Sequence, residues 1–205
     1  LRETNVPPWE DRWGAIENAT RRNLETTLDA QYPKAMGAGA RHAIADCAAT
    51  ISFSVRHPDA VAWMAGRSAD RVAAINATTR DGLRTLLAQA VDEGWSWTRT
   101  ARAIEAQFAG FSGAVPQSFL RTRAELVAVT EMAEAYEHGQ SVVRGDLEGL
   151  GLAVEKSWQS VNDERVSADC LGNQGQGWIP NADSFGSGAS SPPEHPGCRC
   201  TSLSR

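Results

Sequence analysis

The stretch Pro-Pro-Glu-His-Pro-Gly-Cys-Arg-Cys at residues 192–200, preceded by Cys170 and an interval rich in Gly, Ser, Asn and Pro, decides how the end of this chain folds. Three of the four cysteines and one of the four histidines lie between Cys170 and Cys200. A segment this polar buries too little apolar surface to fold by itself, so a further constraint has to hold it together. Because thiols and imidazole are ligands that zinc prefers, a zinc ion is the first candidate.

The predicted zinc ligands are Cys170, His195, Cys198 and Cys200, a Cys3His set of the kind that holds zinc tetrahedrally. Three thiolates would offset the charge of the metal and leave no open position, so the expected site is structural rather than catalytic. The flanking prolines stiffen the backbone around His195 and lower the entropy lost when it is held as a ligand. The spacing His-x2-Cys-x-Cys differs from the paired spacing of common zinc fingers. Two alternatives therefore stay open: a disulfide from Cys170 to Cys198 or Cys200, and free thiols in a loop.

The sequence around these residues favours short strands. Apolar and polar residues alternate from Leu152 to Trp158, which predicts a half-buried strand, and residues 162–164 form a turn composition. Residues 178–180 and 200–203 are the other candidate strands, and the Gly-rich stretches 172–177 and 186–191 are predicted to be loops.

The first two thirds of the chain show helical periodicity instead. Apolar residues at helical spacing predict helices at 13–32, ended by Pro33; at 40–55, stopped by His57 and Pro58; at 72–90, with Gly94 as the C-terminal cap; at 97–108; and at 118–138, ended by Gly139. We therefore predict an α+β protein with a mainly helical region at 1–140 and a small, loop-rich β module at 141–205.

Two residues of the predicted helices need a separate account. Glu131 falls inside an apolar stripe, where an unpaired carboxylate would be costly. We interpret it as a satisfied structural ion pair or a carboxylate at the wet end of the stripe, since no neighbouring residues support a functional acid. Cys47 lies on another apolar stripe and is interpreted as a core residue, as free cysteines are mostly buried.

Composition narrows the class of protein. The net charge of -5 and the pI near 5.4 argue against a dedicated nucleic-acid binder, although they leave a local basic patch open. No apolar run approaches the roughly 20 residues that span a bilayer. Four cysteines in 205 residues favour a reducing cytoplasm over a disulfide scaffold. Leu1 is neither an initiator methionine nor part of a signal peptide, so we expect flanking sequence.

Several segments in order resemble the phage Mu F-like head-morphogenesis family, and the resemblance covers roughly residues 70 to 203. The segments are Lys-Ser-Trp-Gln-Ser at 156–160, Asp-Glu-Arg-Val at 163–166, Cys170, and the stretch 192–200, with upstream helical pieces at 74–79, 93–96 and 123–131. The terminal stretch is the most specific of them. The family alternates Cys and His at the place of Cys170, which a metal ligand would allow. Val129 departs from the family, which has Arg there, and Gln159 or Ser160 stands where the family commonly has Thr.

The resemblance implies a minor capsid protein of a tailed phage or prophage-like particle. Such a protein is made in the bacterial host cytoplasm, enters the procapsid, and resides in the virion near the portal. It associates with the portal protein and assists head assembly or genome delivery. Major capsid or scaffold protein and packaged DNA are further candidate partners, several copies per particle are expected, and no membrane is implied.

The alternative is a zinc- or thiol-dependent hydrolase-like enzyme or toxin module. A zinc deaminase or hydrolase needs an open coordination position and a neighbouring base, and the order Glu194-His195 with Cys-x-Cys does not match that pattern. A thiol hydrolase could combine Cys170 or Cys198 with His195 and either Asp163 or Asp183. Clustered cysteines fit a structural clasp better than a single activated nucleophile, so we predict no catalytic residues and no enzyme activity.

Overall fold

The computed structural model describes residues 9–96, 98–99, 102–103, 106 and 123–205. Its elements are α1 (Trp9–Asp46), α2 (Pro58–Asp92), α3 (Arg123–Gly149), β1 (Glu155–Gln159), α4 (Ala168–Gly175), β2 (Trp178–Pro180) and β3 (Thr201–Ser204). Long helices are followed by a small antiparallel sheet, which confirms the α+β class. None of the described helices combines the length and the apolar character needed to cross a membrane.

Helix α1 is longer than the sequence predicts. Pro33 lies inside it and does not end it, so the predicted break there is wrong. A proline removes one backbone hydrogen bond, but the neighbouring side chains of Tyr32 and Met36 are completely buried and secure the helix on both sides of it. Tertiary packing thus overrides the local preference.

The predicted helix at 40–55 is correct only as far as Asp46. Ala48 takes a left-handed conformation with φ 47°, and the chain continues without regular structure to His57. Ile51 nevertheless packs against the cluster of Ala40, Ala43, Val143, Leu147 and Val154, as Cys47 does. The apolar stripe is therefore buried only in part, since Val55 at its end is 38% exposed, and Cys47 is a half-buried residue at the edge of the core rather than a fully buried one.

The next two predictions concern α2 and the segment after it. Helix α2 begins earlier than predicted, at Pro58, and ends just before Gly94, whose φ of 64° is that of a C-terminal cap. Of the predicted helix at 97–108, residues 98–99, 102–103 and 106 are helical, and the other positions lie outside the described residues.

Helix α3 crosses α1 at very close range. Cβ atoms built on Gly39 and Gly139 would overlap the carbonyl oxygens of Tyr136 and Met36, respectively. Gly139 therefore allows the crossing and does not end the helix, which runs on to Gly149, so the predicted end is wrong. The proposed boundary between residues 140 and 141 lies inside α3, and the division into two regions stays a prediction. Positions 118–122 of the predicted helix lie outside the described residues.

Glu131 on α3 is buried and paired, as the sequence predicts. It is 1% exposed, accepts a hydrogen bond of 2.7 Å from the Tyr32 hydroxyl, and lies 3.5 Å from the Arg67 guanidinium. The same arginine also pairs with Glu134. This ion pair joins α1, α2 and α3 at one level.

The sheet has the order β2-β1-β3 and is antiparallel throughout. Lys156 on β1 lies opposite Ile179 on β2, and Trp158 lies opposite Ser202 on β3. The strand predictions at 178–180 and 200–203 are confirmed to within one residue. The first strand was predicted to begin at Leu152, but β1 begins at Glu155. Leu152 itself is 55% exposed. The Gly-rich stretch from 172 was predicted to be a loop, but its first residues belong to helix α4.

Candidate metal centre

The three cysteines of the tail meet in the interior of the small module. Cys170 lies on α4, whose first turn is capped by the Ser167 hydroxyl, while Cys198 and Cys200 precede β3. Their side-chain sulfurs all lie within 4.8 Å of one another. Each of the three is at most 7% exposed, and they pack with Trp158 and Phe185. The structure thus brings together three of the four predicted ligands.

His195 borders this group without being part of its compact core. Its Nε2 lies 3.7 Å from the Cys170 sulfur and 3.2 Å from the Ser167 hydroxyl. Its Nδ1 lies 3.2 Å from the carbonyl oxygen of Pro196. A ring whose Nδ1–H donates to a carbonyl keeps its Nε2 lone pair for another partner, and this is the usual arrangement of metal-bound histidine.

The distances between these ligand atoms fit the edges of a metal tetrahedron. With metal bonds of about 2.3 Å to sulfur and about 2.05 Å to nitrogen, tetrahedral geometry places two sulfurs about 3.8 Å apart and a sulfur and a nitrogen about 3.6 Å apart. The Cys170 and Cys198 sulfurs are 3.7 Å apart, and Cys170 and His195 meet at 3.7 Å. Two of the ligand-to-ligand distances expected for a tetrahedral Cys3His site are therefore already present.

The same distances exclude a disulfide in this structure. A sulfur–sulfur bond measures about 2.05 Å, so the separation of 3.7 Å between Cys170 and Cys198 is that of two unbonded thiols. All four cysteines are free. The cluster is therefore held by packing and hydrogen bonds, and its sulfurs remain available as ligands.

The three thiols form hydrogen bonds with one another, and these bonds shift the pKa of each. Hydrogen bonds from Cys170 and Cys200 lower the pKa of Cys198. Their role as donors raises the pKa of Cys170 and of Cys200. A bound cation would replace these protons and allow all three sulfurs to ionise, which is how thiolate sites couple metal binding to proton release.

The space beside the sulfurs is small. A cavity of about 10 Å³ is enclosed by the cysteines, His195 and the residues around Ser167 and Arg199. This volume matches one water-sized occupant. It suits a single ion.

The loop that carries Cys198 is anchored to the helical region. The backbone N–H of Gly197 donates a buried hydrogen bond of 2.8 Å to the hydroxyl of Thr130 on α3. Arg199 donates to Asp163 at 2.7 Å, and this bond lowers the pKa of Asp163. These contacts set the position of the two terminal cysteines relative to α3 and to the turn after β1.

A thiol-hydrolase triad is not assembled from the residues proposed for it. Asp163 bonds Arg199, and the ring nitrogen of His195 that a catalytic carboxylate would face instead points to the Pro196 carbonyl. Asp183 is exposed and its backbone N–H bonds the Pro180 carbonyl in the turn after β2. The geometry therefore supports ligation more than nucleophilic catalysis.

A buried polar junction between α3 and β3 was missed in the sequence. Glu137 accepts hydrogen bonds from the Ser202 N–H at 2.9 Å, the Ser202 hydroxyl at 2.5 Å and the Thr201 hydroxyl at 2.7 Å. Arg144, 1% exposed, donates to the hydroxyls of Ser202 and Ser204. Glu137 and Arg144 are seven residues apart, two turns along one face, which is a signal that the predicted helix end at 139 concealed.

The same junction covers the outer edge of the sheet. The N–H groups of Ser202 and Ser204 point away from β1, and they are bonded by the carboxylates of Glu137 and Asp46. An edge strand with unpaired N–H groups can add a further strand. Here helices α3 and α1 occupy those donors, so β3 is joined to the helical region on the side opposite β1.

Comparison with known proteins identifies the family of the chain. The sequence model of the family described as Phage Mu protein F like protein matches residues 81–203, more than half of the chain. This range contains the cysteine cluster and most of the segments that carried the resemblance, and only the piece at 74–79 lies before it. The search of curated proteins and the search of solved structures gave no match. The chain therefore belongs to the phage Mu protein F-like family, whose members are phage head-morphogenesis proteins.

Proposed function

We propose that this protein is a minor capsid protein of a tailed phage or prophage-like particle and that it associates with the portal protein during head assembly or genome delivery. The observation that carries the proposal is the family match, which spans residues 81–203 and includes the terminal cysteine stretch. On this proposal the protein is made in the cytoplasm of the bacterial host. It is then incorporated into the virion near the portal in several copies.

The portal is the first proposed partner, and major capsid or scaffold protein is the second. Contact with packaged DNA would have to use local basic patches, because the net charge of the chain is -5. The decisive experiment isolates procapsids from cells infected with a phage that carries a tagged copy of this protein. We expect the portal protein to co-purify with the tagged protein after the capsid shell is dissociated. Absence of the protein from procapsids, or its recovery without portal, contradicts the proposal.

We also propose that the cysteine cluster is a structural zinc site formed by Cys170, Cys198 and Cys200 with His195 as the fourth ligand. The short sulfur–sulfur distances, the tetrahedral edges and the small cavity support it. When bound, zinc would hold α4, the terminal loop and β3 together. The contact of 3.2 Å between His195 Nδ1 and the Pro196 carbonyl supports His195 as the fourth ligand, because it leaves Nε2 for the metal.

Metal analysis of protein purified without added zinc tests this site. A structural site of this kind retains about one equivalent of zinc through purification. Less than about 0.2 equivalents contradicts it, because such sites bind zinc far more tightly than that loss allows. Cys198→Ser is expected to abolish retention, whereas Cys47→Ser, which changes a cysteine outside the cluster, is the matched control and should leave it intact.

The same variant separates a structural role from an enzymatic one. Loss of a structural ligand destabilises the tail or causes aggregation, which urea unfolding and size-exclusion chromatography detect. A catalytic cysteine predicts a normally folded Cys198→Ser protein that has lost activity. We propose the structural role because the three cysteines are buried and their sulfurs lie within 4.8 Å of one another.

A further inference from the structure

The indole N–H of Trp158 is a buried donor beside the cysteine cluster. Trp158 is 1% exposed and packs with Cys170, Cys198 and Cys200 in one cluster. Within the described part of the chain its Nε1 has no hydrogen-bond partner of ordinary geometry. Because an indole N–H can only donate and is rarely left unpaired in a protein interior, this atom calls for an acceptor.

The nearest chemistry that can supply the acceptor is a cysteine sulfur. A neutral thiol is a weak acceptor, whereas a thiolate is a good one. Cys200 is the cysteine of this cluster that immediately precedes β3, and it lies two residues before Ser202, the residue opposite Trp158 across the sheet. We therefore assign the sulfur of Cys200, in the thiolate form that binds a metal, as the acceptor of this donor.

We propose that Trp158 is a positioning residue of the metal centre, whose indole N–H donates to the sulfur of Cys200 when that sulfur is a metal-bound thiolate. This inference rests on the proposed zinc site and adds to it a residue outside the ligand set. Donors to ligating atoms orient the ligand and tune its basicity. Trp158 would do so from β1, the central strand of the sheet.

The strand and its neighbours secure the ring. Trp158 lies opposite Ser202, and Cys200 is two residues before Ser202, directly before β3 begins, so the pairing of β1 with β3 brings the ring to the end of the cysteine loop. Phe185 meets the indole edge to face, with ring centroids 5.1 Å apart and planes at 81°. These two contacts fix the ring beside the cysteine cluster.

Trp158→Phe in the full chain tests the role of the N–H while keeping an aromatic ring. Trp178→Phe is the matched control, since it makes the same change on β2 at a half-buried ring that stacks on Arg205. The measurement is competition for Zn²⁺ against a chromophoric chelator. Loss of an outer-shell donor typically weakens metal affinity by about 10- to 100-fold. We expect that loss for Trp158→Phe and unchanged affinity for Trp178→Phe.

A second measurement uses the unaltered protein, so it does not depend on the variant folding. In ¹H–¹⁵N spectra the indole resonance of Trp158, assigned by its absence from the variant or by selective labelling, should shift downfield when Zn²⁺ is added. An unchanged resonance, or equal zinc affinity for the two variants, overturns the role of Trp158 and leaves the zinc site standing. If the wild-type chain binds no zinc, both the zinc site and the role of Trp158 are overturned. None of these outcomes bears on the proposed association with the portal protein.

Discussion

The crossing of α1 and α3 allows a sharp test of how closely these helices pack. A Cβ built on Gly139 would overlap the carbonyl oxygen of Met36 and lie only 2.8 Å from its carbonyl carbon. Non-bonded carbons approach to about 3.5 Å. Gly139→Ala therefore forces the two backbones apart by roughly 1 Å, because neither contact is with a flexible side chain.

The cost can be worked out from two opposing effects. Alanine in a helix interior is favoured over glycine by about 0.5–1 kcal/mol. Overpacking a close contact costs about 1–3 kcal/mol, and here the separation also loosens side chains such as Tyr32 and Met36, which are 0% exposed. Subtracting the alanine preference from the overpacking cost leaves an expected net destabilisation of up to about 2.5 kcal/mol for Gly139→Ala.

Gly145→Ala is the matched control on the same helix. A Cβ at Gly145 meets nothing within 4 Å, so this change should stabilise the protein by about 0.5–1 kcal/mol. The alanine preference is common to both variants, so they should differ by the overpacking cost of about 1–3 kcal/mol, or by roughly 2–12 °C in Tm. Urea unfolding followed by circular dichroism and a thermal scan measure both quantities. Equal stability of the two variants would refute the close crossing.

Two further predictions concern the contacts between α3 and the tail. Burial raises the pKa of Glu137 above its ordinary value of 4.5, despite the hydrogen bonds from Ser202 and Thr201. A raised pKa means that folding stabilises the protonated form of Glu137 relative to the unfolded chain. The free energy of unfolding of the wild type should therefore fall, relative to that of Glu137→Gln, as the pH rises above 4.5. A relative rise across about pH 4–8 would contradict this. Thr130→Val leaves the buried N–H of Gly197 without its acceptor and should cost about 1–3 kcal/mol in urea unfolding. Thr85→Val removes the same kind of hydroxyl from an exposed helix position and should change stability little, and equal losses would count against the anchor.

The order of secondary structure could be predicted well because period and composition are local properties. The change from helical to alternating apolar spacing near residue 152 located the sheet, and Gly94 marked the end of α2 correctly. Pro33 and Gly139 misled the prediction for one reason. Both disfavour a helix locally, but each lies where α1 and α3 bury each other, and the packing outweighs the local cost.

The residues of the candidate site likewise fall into those that the sequence reveals and those that only the structure reveals. The cysteines and His195 were recognisable because their chemistry and clustering are visible in the chain, and the structure brings the three tail sulfurs within 4.8 Å of one another. Trp158 was recognised only as part of the first predicted strand and of the family resemblance. Its position beside the sulfurs depends on the pairing of β1 with β3, which no local pattern reveals.

The sequence by itself determined the class of fold, the family, and the residues able to bind a soft metal ion, because spacing, side-chain chemistry and an ordered motif are properties of the chain. The tertiary structure alone decided the long-range contacts: the Gly39–Gly139 crossing, the attachment of β3 to Glu137, and the indole of Trp158 packed against the cysteine cluster. The physical reason is that such contacts join residues far apart in the chain. Their geometry follows only when the buried surfaces pack together and each buried polar group has to find a partner.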